Sequence, residues 1–280
     1  MSSRPVPPAT GYDYLDTVRA QPGSVIAMAH RGGAAHPELP GVENTLHAFR
    51  HAVSLGYRYL ETDVHATSDG VLLAFHDSSL DRLTGTSGEI ARLQAAEIAA
   101  ALIAGEHPVP TMQDLLETFP ECRFNIDIKS AAAVQPLADL VLGTGCEHRV
   151  CVGSFSQRRI AAFRRATRGR VATAAAPAEV VAFRASPAAA LARAMAPSPA
   201  ALQVPHRRGR LAVTTEGLVR RAHAAGLHVH VWTVDEPAEM HHLLDLGVDG
   251  LITDRTDVLK EVLLERGQWQ HPVDSAGRRR

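Results

Sequence analysis

Residues Tyr57–Asp77, Y-R-Y-L-E-T-D-V-H-A-T-S-D-G-V-L-L-A-F-H-D, decide the reading of the chain. Two apolar runs, Tyr57–Val64 and Val71–Phe75, flank a polar link ending in Asp69-Gly70, a strong turn signal. Glu61 and Asp63 stand two residues apart on the first run, so on a strand both side chains point to one face. Neighbouring carboxylates repel each other and lose hydration on burial. A hard divalent cation, bound through carboxylate oxygens, removes much of that cost. A turn centred on Ser68-Asp69 sets Asp63 opposite Ala74 and Glu61 opposite His76; one centred on Asp69-Gly70 sets Asp63 opposite His76. A bulge shifts either register by one. Each puts a histidine fit for acid or base work beside the carboxylates. The competing reading is an edge hairpin with a solvated acidic face.

Outward from this hairpin, strand and helix signals alternate. Apolar runs begin near residues 25, 58, 123, 150, 170, 200, 228 and 250, with helical periodicity between them. Eight such strands, with Val71–Phe75 as the hairpin's return arm, predict a (β/α)8 TIM barrel. A doubly wound open sheet is the alternative, but the glycine fingerprint of a dinucleotide site is missing. Residues 77–110 break the rhythm and read as a small insertion or lid, with an Ala-rich helix near Leu93–Ile103. The expected division is an N-terminal arm at 1–20, the barrel at 21–266 and a C-terminal tail at 267–280.

The chain has 280 residues, which suits one barrel domain, and 45% hydrophobic content, which suits a packed core. A formal net charge of -1 argues against a nucleic-acid surface. The sequence shows neither a signal peptide nor an integral membrane segment. Cys122, Cys146 and Cys151 lack C-x-x-C spacing and read as reduced thiols. Together these predict a cytoplasmic protein.

In a barrel, the C-terminal strand ends converge on one mouth. His30, Arg31, Glu61, Asp63, His76, Asp127, Lys129 and Trp232 fall at or near such ends. Three carboxylates there suit a hard metal, two histidines suit acid–base work, and Arg31 and Lys129 suit an anion such as phosphate. That set points to metal-assisted attack at phosphorus. His65 is a candidate supporting group beside Asp63. The other histidines, His228 and His230 among them, lack such convergence, and most are expected at the surface or an interface. The basic stretch His206–Arg210 reads as a solvated loop near the mouth.

The sequence resembles the glycerophosphodiester phosphodiesterase family. The matching pieces are His30-Arg31-Gly32, Glu43-Asn44-Thr45, Glu61-x-Asp63, Thr67-x-Asp69-Gly70, His76-Asp77 with Leu80 and Arg82, Asp127-x-Lys129, Val231–Val234, and Gly247–Gly250 to Asp254. The resemblance implies a barrel with a small insertion after the second histidine and one divalent cation, Mg²⁺ or Ca²⁺. It implies hydrolysis of small-molecule glycerophosphodiesters to sn-glycerol 3-phosphate and an alcohol. By position, His30 and His76 are then the acid and base, and Glu61, Asp63 and Asp127 hold the metal. Arg31 and Lys129 touch phosphate, Trp232 lines the substrate cleft, and Glu43 supports the site. The family often has Glu where this chain has Asp127, one methylene shorter. Alternatives are a phospholipase of the same barrel type, acting on lysophospholipids or phosphoinositides, and a silent barrel that binds phosphodiesters.

Overall fold

The computed structural model describes residues 6–20, 23, 25–185 and 199–269. Residues 186–198 of the expected barrel and most of the expected tail, Arg278–Arg280 included, lie outside the described residues. The barrel strands are β1 Ile26–His30, β2 Tyr59–Ala66, β3 Arg123–Ile128, β4 Val150–Gly153, β5 Ala172–Thr173, β6 Ala201–Pro205, β7 His228–Trp232 and β8 Gly250–Thr253. They pair in parallel in the order β5-β4-β3-β2-β1-β8-β7-β6. A parallel bridge between Ala174 and Ala201 joins β5 to β6 and closes the ring. The expected (β/α)8 barrel is the observed architecture.

A helix follows each strand, with α1 Leu46–Ser54, α2 Met112–Thr118, α3 Val134–Thr144 and α4 Gln157–Ala166. The rest are α5 Pro177–Ala185, α6 Glu216–Ala224, α7 Pro237–Asp245 and α8 Thr256–Glu265. Helix starts are fixed by caps. Thr45 accepts from the Ala48 N–H, and Thr111 forms a capping box with Asp114. Strand alternation then sorts the side chains. Phe124, Ile126 and Ile128 face the helices and join the main apolar core, while Asn125 and Asp127 take the other face. Burying each such large apolar side chain contributes about 1.5–3 kcal/mol.

The β2 hairpin follows neither of the two simple registers. Val64 pairs with Ala74 and His65 with Leu73, so Asp63 lies opposite Phe75, whose N–H donates to the Asp63 carbonyl. The reason is the loop. Ser68-Asp69-Gly70 is a three-residue turn, with the Gly70 N–H donating to Thr67 O and Gly70 at φ 84. A left-handed residue at that place shifts the pairing by one.

The insertion holds its own apolar cluster, including Phe75, Leu80, Ile90, Ile98 and Ile103. Its Ala-rich stretch is helical only over Ala95–Ile98, where Gln94 and Glu97 box the start. Leu102–Ile103 instead pairs antiparallel with His107–Pro108. Burial of Ile98 and Ile103 in one cluster wins over helix propensity there.

Tyr14, Leu15 and Val18 lie buried against Ile26, Met28, Tyr59 and Ile252, flooring the barrel. Tyr59 Oη donates to Tyr14 O at 2.8 Å. Trp269 packs edge-on against Tyr57. His228 and His230 are fully buried inside the barrel, a correction to the expectation that most of these histidines lie at the surface or an interface. They alternate with the outward Val229 and Val231, so strand periodicity turns them inward. Burial holds His230 down at a pKa of about 3, so its imidazole is neutral.

Candidate active site

The charged part of the mouth is assembled from the first three strands, the hairpin after β2 and the last strand. His30 ends β1, and Gly32 follows in a left-handed turn at φ 86. A Cβ on Gly32 would lie 2.9 Å from the Ala48 backbone, so the loop needs glycine to pack on α1. Arg31 adopts φ 50, and its backbone N–H donates to Glu61 O at 3.0 Å. This turn aims the guanidinium at Asp63 Oδ2, 3.2 Å from Nε, and at Glu43 Oε1, 3.1 Å from Nη1.

Glu61 and Asp63 share the inner face of β2 and are buried. Asp63 lies beside Asp127 in the β2–β3 register. Lys129 Nζ bridges them, 2.9 Å from Asp63 Oδ1 and 2.7 Å from Asp127 Oδ2. Burial and the charge of Asp63 push the Glu61 carboxyl up, against the pull of His30 and Arg31. Burial likewise raises Asp127, opposed by Lys129. For Lys129, burial is outweighed by the two aspartates, which hold it above its ordinary value.

Each candidate histidine is held by a carboxylate at Nδ1. His30 Nδ1 is 2.6 Å from Asp254 Oδ1, and His76 Nδ1 is 2.7 Å from Asp77 Oδ1. That contact puts a proton on Nδ1 and leaves Nε2 as the atom that takes or gives a second one. Burial pulls the His30 pKa down, but the Glu61 charge and the Asp254 bond outweigh it, leaving His30 raised. His65 Nε2 donates to the His76 carbonyl at 3.1 Å, fixing the second histidine's backbone. Arg82 clasps Glu43 through Nη1 and Nη2 and Asp77 through Nε, tying the insertion to the β1 loop. Trp232 ends β7 and meets Phe155 edge-on at 5.5 Å. The Phe155 ring in turn lies 5.7 Å from Lys129 Nζ.

Of the ten candidate residues, Glu61 and Asp63 lie within β2, level with and just beyond the end of β1, and the other eight stand at or near strand C-terminal ends or on the loops that follow. Asp77 and Asp254 fall within the matching sequence pieces, but sequence alone assigns them no orienting role, and it does not single out the rim residue Phe155. A usable signal existed for Asp254: in a closed barrel the eighth strand neighbours the first, so a residue just after β8 lies beside His30.

Several observations bear on a cation. Asp127 Oδ1 is buried without a hydrogen-bond partner, and so is Asp63 Oδ2, which only faces Arg31. A set of carboxylate oxygens with unshared lone pairs fits a hard divalent ion. Among the described residues, the His/Cys/Asp/Glu group with ligand atoms within 4.8 Å of one another is instead His36, Glu38 and His51. Glu61, Asp63 and Asp127 are spaced more widely, with Lys129 between two of them. In the His36 group, the Glu38 N–H donates to His36 Nδ1 at 3.1 Å. The neutral His36 ring then carries its proton on Nε2, facing His51 Nε2 at 3.3 Å. That is a hydrogen-bonded pair, not two open lone pairs.

A barrel whose mouth combines three carboxylates, two oriented histidines and two cations is equipped for acid–base chemistry on an anion. Residues 30–258 match the glycerophosphoryl diester phosphodiesterase family, and the chain belongs to it. The Mycobacterium tuberculosis protein named "Probable glycerophosphodiester phosphodiesterase 2" is 43% identical over 250 residues, covering 88% of this chain and 94% of that relative. A lysophospholipase D of Homo sapiens is 26% identical over 283 residues, covering 84% of this chain and 85% of its own. An Oleispira antarctica phosphodiesterase, solved in complex with the product sn-glycerol-3-phosphate, shares the fold at a TM-score of 0.70 and 20% identity, covering 85% of this chain and 96% of that one.

Proposed function

We propose that this protein hydrolyses glycerophosphodiesters to sn-glycerol 3-phosphate and an alcohol. The observation that carries the reading is the pair of carboxylate-held histidines beside Glu61, Asp63 and Asp127 in a chain of this family. Arg31 and Lys129 attract the phosphodiester anion and offset the carboxylates. One of His30 and His76 takes a proton from the attacking oxygen through Nε2, and the other gives one to the leaving alcohol. Asp254 and Asp77 steady the imidazolium, which forms on the base and is the starting form of the acid. Glu61, Asp63 and Asp127 would hold one divalent cation, Mg²⁺ or Ca²⁺. When bound, that ion supplies Lewis-acid polarisation of the phosphoryl oxygens. Trp232 lines the cleft where the alcohol portion sits. Glu43 and His65 support the site, the first by fixing Arg31 and Arg82, the second by fixing His76.

Cys122, Cys146 and Cys151 are free and buried, which supports a cytoplasmic location. No described helix is long and apolar enough to cross a membrane.

The test is release of sn-glycerol 3-phosphate from glycerophosphocholine and glycerophosphoethanolamine, after EDTA and with single cations restored. Cation-dependent release that His30→Ala abolishes is the expected result. No release with any cation overturns the reading. A second reading, lysophospholipid cleavage, is favoured by Phe155, which is 64% exposed beside Trp232 at the mouth. Lysophosphatidylcholine as substrate in the same assay separates the two.

A further inference from the structure

The loop after β6 is built as a cationic finger. Arg207–Arg208 pairs antiparallel with Leu211–Ala212. Its base is pinned, because Val213 and Thr214 N–H groups both donate to His206 O and Thr214 Oγ1 donates to Pro205 O. His206 is itself held through Nδ1 by the Glu239 carboxylate. Beyond this base Arg207, Arg208 and Arg210 are exposed, and none has an acidic partner among the described residues. Leu211, between them and the base, is 61% exposed.

The finger leaves β6 at Pro205, which is paired with Trp232. It therefore stands on the mouth side of the barrel, as do Trp232 and the exposed Phe155. Three unpaired guanidinium groups on a chain of net charge -1 are a local feature, not general basicity. Guanidinium forks match phosphate oxygens, and an aromatic or leucine side chain on the same rim suits the layer just below lipid headgroups.

We propose that this rim docks the protein on an anionic phospholipid surface. Arg207, Arg208 and Arg210 contact headgroup phosphates, while Leu211 and Phe155 enter the interfacial layer. Docking turns the mouth toward the bilayer. The proposal does not depend on the reaction assigned above, since binding is read without turnover and only the activity control rests on that reaction.

The full chain is sedimented with vesicles of phosphatidylcholine alone and of phosphatidylcholine mixed with phosphatidylglycerol, at low and high salt. Binding that needs phosphatidylglycerol and is lost at high salt is expected. Replacing Arg207, Arg208 and Arg210 together by Ala weakens it by about a hundredfold, at roughly fivefold per arginine. The matching triple Lys variant retains most of the binding, and the triple Ala variant hydrolyses soluble glycerophosphocholine as the parent does. The proposal is overturned if the parent stays in the supernatant, binds neutral vesicles equally well, or loses nothing in the triple Ala variant. Equal loss in the Lys and Ala variants also overturns it.

Discussion

Asp254 Oδ1 lies 2.6 Å from His30 Nδ1, across the junction where the last barrel strand meets the first. The two residues are 224 positions apart in sequence, and ring closure alone makes them neighbours. The contact sets the tautomer of His30 and stabilises its charged form.

Asp254→Asn keeps the side chain's size and removes its charge. We expect kcat to fall by about 10- to 100-fold, the usual effect of losing a group that orients a histidine. KM should change far less, because Asp254 acts through His30 and not on substrate. Steady-state kinetics on glycerophosphocholine check this; equal loss in kcat and gain in KM would assign Asp254 to substrate binding.

Removing a charge from the proposed cation site should be visible without turnover. In EDTA-treated protein, Mg²⁺, Ca²⁺ or Mn²⁺ at saturating concentration raises Tm by several degrees, as ligand binding to the folded state requires. Asp127→Asn weakens the apparent affinity by at least about tenfold. A thermal melt titrated with each ion gives both values.

Arg164 clamps the shortest strand of the ring. It donates to Thr173 Oγ1 and Ala174 O and pairs with both oxygens of Glu179. Burial raises the Glu179 pKa, but Arg164 and the Ala176 N–H outweigh it and leave the carboxyl below its ordinary value. A lowered carboxyl stabilises the fold above its unfolded pKa, about 4.3, and the gain is lost as pH falls through the folded value. Glu179→Gln should therefore cost about 1–3 kcal/mol near neutral pH. The gap in Tm between the two proteins should close in acid, which scanning calorimetry across pH measures.

Tyr14 is fully buried and meets Tyr59 edge-on at 5.2 Å. Tyr14→Ala opens a cavity in the barrel floor and should cost about 3–5 kcal/mol. The site lies at the opposite end, so kcat at low temperature should stay within about twofold. Denaturant melts and kinetics together test the separation of floor from mouth.

Much of this was legible in the chain. Apolar runs marked all eight strands, and helical periodicity the stretches between them, because both periodicities are local. The placement of Asp127 and Lys129 at one strand end was legible for the same reason. Partners set by closure were not. Asp254 reaches His30 only once β8 meets β1, and Arg82 reaches Glu43 only once the insertion folds back. The hairpin register turned on one left-handed glycine, Gly70, which strand alternation does not report. His228 and His230 misled because histidine is usually exposed. Here a neutral ring fills barrel interior, and Gln203 Nε2, itself bonded to Asn125, lies 3.4 Å from His230 Nδ1.

The single bridge between Ala174 and Ala201 gives the ring a direction of failure. β2 and β3 are registered over six residue pairs, whereas β5 meets β6 through one bridge and the flanking bonds from Ala175 to Ala201 and from Ala200 to Thr173. Opening fluctuations start where the fewest bonds must break together. The amides of Ala175 and Ala200 should thus trade their hydrogens with solvent well before those of Ile126 or Thr62. The molecule behaves less as a uniform hoop than as a curled ribbon held by a clasp, with the residues proposed for chemistry set on the arc farthest from it.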